Sequence, residues 1–334
     1  AAHTGTEQAI MVNSGSSALL VMLEALIETG RLNRGDEVVV PAVGWSTDLF
    51  SLAQAGLRPV VVDVDPKTLC IEGEFERPVL AVHLLGCPSG VRSPLLLEDA
   101  CAAHGAEIDG QRVGGRGLCG VFSFFFSHHI STGEGGMITT SDLELADAAR
   151  SLRAHGWVRE RSDRVQLEAA HPETDPRFLF VSRGYNLRPT EIAGAFGIHQ
   201  LKRLDDYVAR RRANHRAWCD HIGSLDLPIE VFPEPEGRAH AGFGFPILIH
   251  ADAPLDRAAL CTQLESRGIQ TRPISGSNLT RQPAAARVPD LRIEGELAVA
   301  DSIHERGFFV GQSHAFGPEQ LELLAESLAT ALAG

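Results

Sequence analysis

Short apolar runs alternate with helix-like segments through the first half of the chain. Each run ends in small or polar residues, and a helix-like stretch or a turn follows it; the runs cover residues 10–12, 37–41, 58–64, 79–85 and 95–99. Runs of this kind are typical of strands that are buried on both faces of a parallel sheet. The alternation therefore predicts an α/β domain with a mixed, mostly parallel sheet.

A strand, a tight polar turn and a returning strand are predicted at residues 121–140. An apolar run that carries Phe122, Phe124 and Phe126 breaks at Ser127, and a second β-like run covers residues 137–140. Between the two runs lie the adjacent histidines His128 and His129 and a glycine-rich turn. Histidines in such a turn are expected to face a cavity, although adjacent positions point to opposite faces of a strand.

The second half of the chain predicts longer helices and then a smaller domain. The expected elements are a helix at 143–153, a polar loop at 158–180, a long amphipathic helix at 190–216 capped by Thr190, strands at 243–249 and 269–274, and helices at 255–268 and 319–332. The change in pattern near residue 220 divides the chain into a large domain, 1–218, and a small α+β domain, 219–334.

Composition excludes several classes of function. The formal net charge of -13 argues against a nucleic-acid surface and against docking on anionic membranes. No apolar run approaches the roughly 20 residues of a membrane helix, and the first residues lack the features of a signal peptide. The six cysteines are scattered without close pairs, so we expect no metal site and reduced thiols in a cytoplasmic protein.

Chemically distinctive side chains fall at or just after the ends of predicted strands. They are Ser14, Trp45, His83, Asp99 and His128. Ligands of α/β sheets bind at the carboxyl ends of the strands, so these residues are expected to lie near one another. The Ser14-Gly15-Ser16 turn also opens a predicted helix, whose free N–H groups attract an anion. A simple helix cap is the alternative interpretation of this turn.

The order of several motifs resembles the DegT/DnrJ/StrS-type sugar aminotransferase family. The matching residues are Asn13-Ser14-Gly15-Ser16-Ser17, Trp45, Leu97-Glu98-Asp99, Ser123, Gly133-Glu134-Gly135-Gly136 and Gly184-Tyr185-Asn186-Leu187-Arg188-Pro189-Thr190. The resemblance covers nearly the whole chain. It implies the type I fold of pyridoxal-phosphate-dependent transferases, that of aspartate aminotransferase, with residues 1–218 as the cofactor-binding domain.

The resemblance also implies a role for each matched residue. The cofactor phosphate would be held by Ser14, Gly15, Ser16 and Ser123. Trp45 would stack on the pyridine ring, and Asp99 would pair with its nitrogen so that the ring accepts electrons. Asn186 would reach the phosphate from a neighbouring subunit, which implies a homodimer with a shared active site. Considered alone, Trp45 also fits a core aromatic, Asp99 a helix cap and Asn186 a turn residue.

The chain departs from the aminotransferase pattern in the hairpin. Family aminotransferases carry a lysine five residues after the position of Ser123, and this chain has His128 there. Its two lysines, Lys67 and Lys202, are distant in sequence, and an imine between enzyme and cofactor needs a primary amine. A histidine at this place is similar to the nucleotide-sugar 3-dehydratase branch of the family. Further matches to that branch lie at residues 127–136, 276–283 and 308–311.

The dehydratase branch acts on NDP-4-keto-6-deoxyhexoses with pyridoxamine phosphate, and it implies a mechanism. His128 would take a proton from the C4′ carbon of the cofactor, since imidazole has an unperturbed pKa of about 6.5. In its acid form His128 would help the C3 hydroxyl of the sugar to leave. Glutamate is the implied amino donor that restores the pyridoxamine form, and elimination replaces transamination.

Contacts to the nucleotide sugar are harder to predict. The candidates are His129, Arg153, His155, Trp157, Arg272 and Arg281. Arginine forks suit a diphosphate, and Trp157 suits stacking on a sugar or base. Each arginine fits a solvated surface residue equally well, and His129 fits structural support better than catalysis.

Two other functions are open at this point. One is an aminotransferase that works without the usual lysine. The other is a cofactor-binding regulator or an inactive partner subunit, suggested by Ala102, where many aminotransferases have glutamine, and by a chain that starts close to the Asn13–Ser17 turn. The mass of the sugar product separates the first from a dehydratase, and turnover that is lost in His128→Asn would exclude the second.

Overall fold

The computed structural model describes residues 1–332 of the chain. The strands are β1 Gln8–Val12, β2 Glu37–Pro41, β3 Arg58–Val62, β4 Val79–Val82, β5 Leu96–Asp99, β6 Glu107–Ile108, β7 Gln111–Arg112, β8 Cys119–Ser123, β9 Gly136–Thr140, β10 Ile229–Val231, β11 Arg238–Ala239, β12 Gly244–Ile249, β13 Thr271–Pro273, β14 Arg292–Ile293 and β15 Gly307–Gly311.

Helices connect or flank these strands. They are α1 Gly15–Glu28, α2 Ser46–Gln54, α3 Leu143–Leu152, α4 Arg164–Ala170, α5 Glu191–Leu201, α6 Leu204–Gly223, α7 Arg257–Ser266, α8 Ala298–Arg306 and α9 Pro318–Leu332, with short 3₁₀ turns at Leu84–Gly86, Val158–Glu160, Pro176–Phe178, Leu279–Arg281 and Pro283–Arg287. Within residues 1–332, none of the helices is long and apolar enough to cross a membrane.

An eight-stranded sheet confirms the predicted α/β class. Its order is β1-β9-β8-β5-β4-β2-β3-β14. The strands from β8 to β14 pair in parallel, whereas β9 runs antiparallel to both β8 and β1. All residues of β4 are buried, as expected for a strand with helices on both faces of its sheet.

Helix α1 packs its apolar side chains against the sheet, and this packing fixes the position of the helix. Leu19, Met22, Leu23 and Leu26 of α1 are fully buried in the main core. Each such side chain stabilises the fold by about 1.5–3 kcal/mol through burial of apolar surface. The helix is therefore held firmly, and its N-terminal turn is fixed beside the hairpin formed by β8 and β9.

A second core lies in the C-terminal part of the chain. The antiparallel sheet β10-β12-β15-β13 packs with α6, α7 and α9 around the aromatic side chains of Trp218, Phe245 and Phe308. The division of the chain after residue 218 stays a prediction. The structure adds that Ile274 and Ile303 are buried in the first core rather than the second.

Two predicted segments differ from the observed ones. The helix expected at residues 190–216 is two helices, α5 and α6, separated by a turn at Lys202 and Arg203. The two helices differ in burial: Leu204 and Val208 of α6 are buried in a cluster with Phe122 and Ile130, whereas α5 buries only Ala193. The polar segment 158–180, expected to be a loop, contains α4. Thr190 caps α5 as predicted, since its side chain accepts from the Ala193 N–H at 3.2 Å.

Candidate active site

Close backbone packing places the Ser14 turn against the hairpin. A β-carbon on Gly15 would lie 2.6 Å from Ser123 Cβ, and one on Gly136 would lie 2.1 Å from the Ser14 carbonyl oxygen. Only glycine fits at these two positions. Because β8 pairs Ser123 with Gly136, the hairpin and the start of α1 form one surface. The predicted phosphate residues Ser14, Gly15 and Ser123 are thus brought together.

The starts of α1 and α2 are also neighbours. Ser16 and Thr47 are joined by a 3.0 Å hydrogen bond between their hydroxyl groups. The Ser14 hydroxyl accepts from the Ser17 N–H at 3.1 Å, so Ser14 caps α1 as the alternative interpretation proposed. Two helix N-termini therefore lie side by side, and each contributes positive potential and free N–H groups to an anion.

Trp45 stands at the start of α2 with 61% of its surface exposed. This exposure contradicts the alternative of a core aromatic. The segment that follows β13 holds the loop before Trp45, because the Gly276 N–H and the Ser275 hydroxyl both donate to the Gly44 carbonyl at 2.8 Å. The ring is left with an open face, which suits a planar ligand.

Asp99 ends β5 and is 8% exposed. Its Oδ1 accepts from the Cys101 N–H at 2.8 Å, a local bond of the kind that a capping residue makes. Asp48, in the first turn of α2, is a neighbour of Asp99, and burial together with the Asp99 charge raises the pKa of Asp48 well above its ordinary value. Sequence reasoning missed Asp48; the available signal was an acidic residue three positions after Trp45 at the start of a helix.

His128 lies in the turn of the hairpin, with its ring among aromatic neighbours. Its backbone N–H donates to the Phe125 carbonyl at 3.0 Å, and its ring centroid lies 5.2 Å from that of Phe243. Its Nδ1 is buried, and no described residue forms a hydrogen bond with it. Burial lowers the pKa of His128 to about 4, against the opposing effect of the Asp99 charge. The ring is therefore neutral near neutral pH and can accept a proton.

His129 is the more deeply buried of the two adjacent histidines, and both rings pack on Phe243, with centroid distances of 5.2 Å for His128 and 5.7 Å for His129. It is 3% exposed, and its Nε2 donates to the Ala241 carbonyl at 3.0 Å. Burial lowers its pKa well below the ordinary value. A ring held in this way leaves little surface for the predicted substrate contact, and the contacts favour the supporting role.

His104 is a third histidine in this cluster, and sequence reasoning missed it. Its ring centroid lies 6.1 Å from that of His128 and 5.3 Å from that of His129, and it packs on Phe122 at 5.1 Å. Neither ring nitrogen has a partner among the described residues, and burial lowers its pKa well below the ordinary value. The only sequence signal was its place in the turn five residues after Asp99.

Comparison with known proteins gives the family. Residues 1–329 match the DegT/DnrJ/EryC1/StrS aminotransferase family. The chain belongs to this family. It is 38% identical to a GDP-4-keto-6-deoxy-D-mannose 3-dehydratase of Yersinia pseudotuberculosis, over 97% of this chain and 87% of that protein. It is 34% identical to a dTDP-4-dehydro-2,6-dideoxy-D-glucose 3-dehydratase of Saccharopolyspora spinosa, over 97% of this chain and 77% of that protein.

A solved structure of the family superposes on nearly the whole chain. It is a GDP-4-keto-6-deoxymannose 3-dehydratase with a histidine-to-asparagine substitution and bound GDP-perosamine. The TM-score is 0.90 at 34% identity, and the match covers 98% of this chain and 89% of the other. The type I aminotransferase fold implied by the sequence motifs is thus confirmed.

The other predicted residues of this family member are not all brought together. Asn186 is exposed, and its Oδ1 accepts from Arg188 at 3.2 Å. Arg153 donates to the Met11 carbonyl and to Glu160, so both ends of its guanidinium are engaged. Arg281 pairs with Asp301 at 2.7 Å.

Three predicted substrate residues keep accessible surface. Arg272 on β13 and His155 are exposed. Trp157 stacks on Phe178 with ring centroids 6.0 Å apart and planes 7° from parallel. Their contacts to a nucleotide sugar stay predictions.

Proposed function

We propose that this protein is a pyridoxamine-phosphate-dependent 3-dehydratase of an NDP-4-keto-6-deoxyhexose, in deoxysugar biosynthesis. The observation that carries the proposal is His128, a neutral and largely buried imidazole in the hairpin position where family aminotransferases hold their lysine. The similarity to named 3-dehydratases over 97% of the chain supports the same reaction.

The site fits a planar cofactor with a phosphate and an electron-accepting ring. The adjacent starts of α1 and α2, with Ser14, Gly15, Ser16 and Ser123, would hold the phosphate. The exposed face of Trp45 would cover the ring, and Asp99 would face its nitrogen. When bound, pyridoxamine phosphate supplies an amine that condenses with the C4 ketone of the sugar and a ring that accepts electrons.

His128 then has two tasks. With the cofactor bound, its neutral ring would be the group to accept a proton from the C4′ carbon, and the resulting imidazolium would return that proton to the C3 hydroxyl as it leaves. Aromatic neighbours such as Phe243 limit the access of water to the ring. A histidine cannot form an imine with the cofactor, so the route to transamination through an enzyme lysine is closed.

The two lysines do not replace this group. Lys67 is exposed and lines a surface cleft with Glu72, Glu230 and Glu234. Lys202 is exposed at the end of α5. Borohydride is therefore expected to leave pyridoxal phosphate untrapped on the protein.

The product of a single assay tests the function. The protein is mixed with pyridoxal phosphate, glutamate and GDP-4-keto-6-deoxymannose, with the dTDP-linked 4-keto-6-deoxyglucose as a second substrate. We expect a sugar that has lost its C3 oxygen, detected by mass spectrometry. A 4-amino sugar that keeps the C3 oxygen would establish an aminotransferase instead, and binding without turnover would establish a regulator.

We also propose a homodimer with a shared active site. Helix α5 exposes Ile192 by 82%, Phe196 by 53% and Ile198 by 61%. These side chains lie on more than one face of the helix, and a helix that leaves apolar residues uncovered on several faces marks an interface. The exposed Asn186 lies five residues before the first residue of α5, so a second copy seated on this helix would bring it near a neighbouring site. The six free cysteines support a reducing, cytoplasmic location.

Charge placed on α5 is expected to dissociate the dimer. In Ile192→Glu/Ile198→Glu, two carboxylates would be buried in the interface at a cost of several kcal/mol each. Light scattering after gel filtration should give the mass of one chain for this variant and of two for the wild type. Leu323→Glu, at an apolar position on α9 that is 44% exposed, is the control and should remain dimeric. A wild-type monomer, or a dimeric α5 variant, would contradict the proposal.

A further inference from the structure

Asp48 is buried between two residues assigned to the cofactor. It lies in the first turn of α2 and is 1% exposed. Its Oδ2 accepts from the backbone N–H of Trp45 at 2.8 Å. A β-carbon on Gly44 would lie 2.7 Å from the same oxygen, so the loop before Trp45 is shaped around this carboxyl group. Asp48 therefore fixes the backbone from which the Trp45 ring projects.

The second oxygen of Asp48 lacks a donor. Oδ1 is buried, and none of residues 1–332 donates a hydrogen bond to it. The carboxyl group lies close enough to Asp99 for that charge to raise the pKa of Asp48, and no arginine or lysine among the described residues opposes it. An unpartnered carboxylate oxygen in a buried site is destabilising, because it has lost its hydrogen bonds to water. A proton shared with Asp99 removes this cost.

Two adjacent buried carboxyl groups cannot both be ionised. Each carboxyl group accepts one backbone N–H at 2.8 Å, Asp48 from Trp45 and Asp99 from Cys101, so these bonds do not decide which of the two is protonated. Asp48 is the more deeply buried of the two, with 1% exposure against 8% for Asp99. Burial, the Asp99 charge and the hydrogen bond between the two groups raise the pKa of Asp48 well above its ordinary value. The proton therefore resides on Asp48.

We infer that Asp48 is a positioning residue for the cofactor ring, because its protonated carboxyl donates a hydrogen bond to Asp99 while its other oxygen holds the Trp45 backbone. One side chain thereby links the residue that covers the ring to the residue that faces the ring nitrogen. The bond fixes the orientation of the Asp99 carboxylate and keeps its charge available for a protonated nitrogen. This role rests on the proposed function only in assigning Asp99 to the ring.

Two substitutions separate this role from a merely structural one. Asp48→Asn has the same shape, and its amide can both accept from Trp45 and donate to Asp99. Asp48→Leu has the same branching with bulkier methyl groups and can do neither. We expect Asp48→Asn to bind pyridoxal phosphate with nearly wild-type affinity and Asp48→Leu to bind about tenfold or more weakly. Nitrogen NMR of ring-labelled pyridoxal phosphate should show a protonated ring in the wild type and in Asp48→Asn, and loss of that proton in Asp48→Leu.

The protonation of Asp48 can be measured without cofactor or substrate. The infrared spectrum of the wild-type protein should contain the carbonyl band of a protonated carboxylic acid, and the spectrum of Asp48→Asn should lack that band. In Asp99→Asn the band should be shifted, because the group that accepts the Asp48 hydrogen bond has changed. A band that persists in Asp48→Asn, or an unchanged ring-nitrogen signal in Asp48→Leu, would overturn the inference. If Asp48→Leu does not fold, the infrared comparison decides. A wild-type protein that binds no pyridoxal phosphate would refute the proposed function and leave the infrared result to decide on Asp48.

Discussion

His128→Asn is expected to lower the rate of C3 dehydration by about 100- to 10,000-fold, the usual contribution of a general acid–base group. Asparagine keeps a polar side chain of similar reach but does not titrate near neutral pH. Because the cofactor residues lie on α1, α2 and β5, the affinity for pyridoxal phosphate should change little. Single-turnover measurement of product formation, together with a spectroscopic titration of the cofactor, checks both parts of this expectation.

The adjacent histidine provides the matched control. His129→Asn removes a buried ring that donates to Ala241, so the melting temperature should fall while kcat stays within a small factor. Equal losses of kcat in the two variants would contradict the assignment of the proton to His128. His128→Lys adds a positive test, since borohydride should trap pyridoxal phosphate on the new amine and not on the wild type.

Acid is expected to destabilise the fold between pH 6.5 and pH 4. The pKa of His128 is lowered to about 4 by burial, and burial lowers the pKa values of His104, His129 and His240 well below the ordinary 6.5. In this window the unfolded chain binds protons that the folded chain does not, so the free energy of unfolding falls as pH falls. His128 alone accounts for about 3 kcal/mol at pH 4. The raised pKa of Asp48 acts in the opposite direction but involves a single group.

Urea unfolding at pH 7.5, 6.0 and 5.0 measures this dependence. The midpoint should fall at each step. His104→Phe should flatten the curve, because phenylalanine fits among Phe122 and Phe124 and has no proton to bind. His250→Gln, at an exposed position, is the control and should leave the slope unchanged. A midpoint that is independent of pH over this range would contradict the expectation.

Local patterns predicted the sheet well, because buried parallel strands need continuous apolar runs. The runs ending at Pro41 and Asp99 became β2 and β5, and the hairpin paired as expected. The break between α5 and α6 was not predictable, since Lys202 and Arg203 are both compatible with a helix. At this turn a helix with one buried residue, α5, is followed by one held through buried Leu204 and Val208, and such tertiary contacts are not encoded locally.

The site was predictable where a residue type had one plausible chemical task. His128 was identifiable because it occupies the position at which family aminotransferases carry a lysine. Asp48 and His104 were missed because an acidic residue in the first turn of a helix and a histidine in a turn both have ordinary structural explanations. Their significance comes from burial and from neighbours distant in sequence, such as Asp99 for Asp48 and His128 for His104.

Gly15 and Gly136, which pack against Ser123 and Ser14, constrain the backbone around the phosphate turn. Gly15 and Gly136 leave less than the width of a methyl group between the start of α1 and the hairpin. Insertions and bulkier residues are therefore barred where the phosphate turn meets the strands. We expect the side chain at position 128 to determine which reaction follows, while the backbone that holds the phosphate stays the same in aminotransferases and dehydratases.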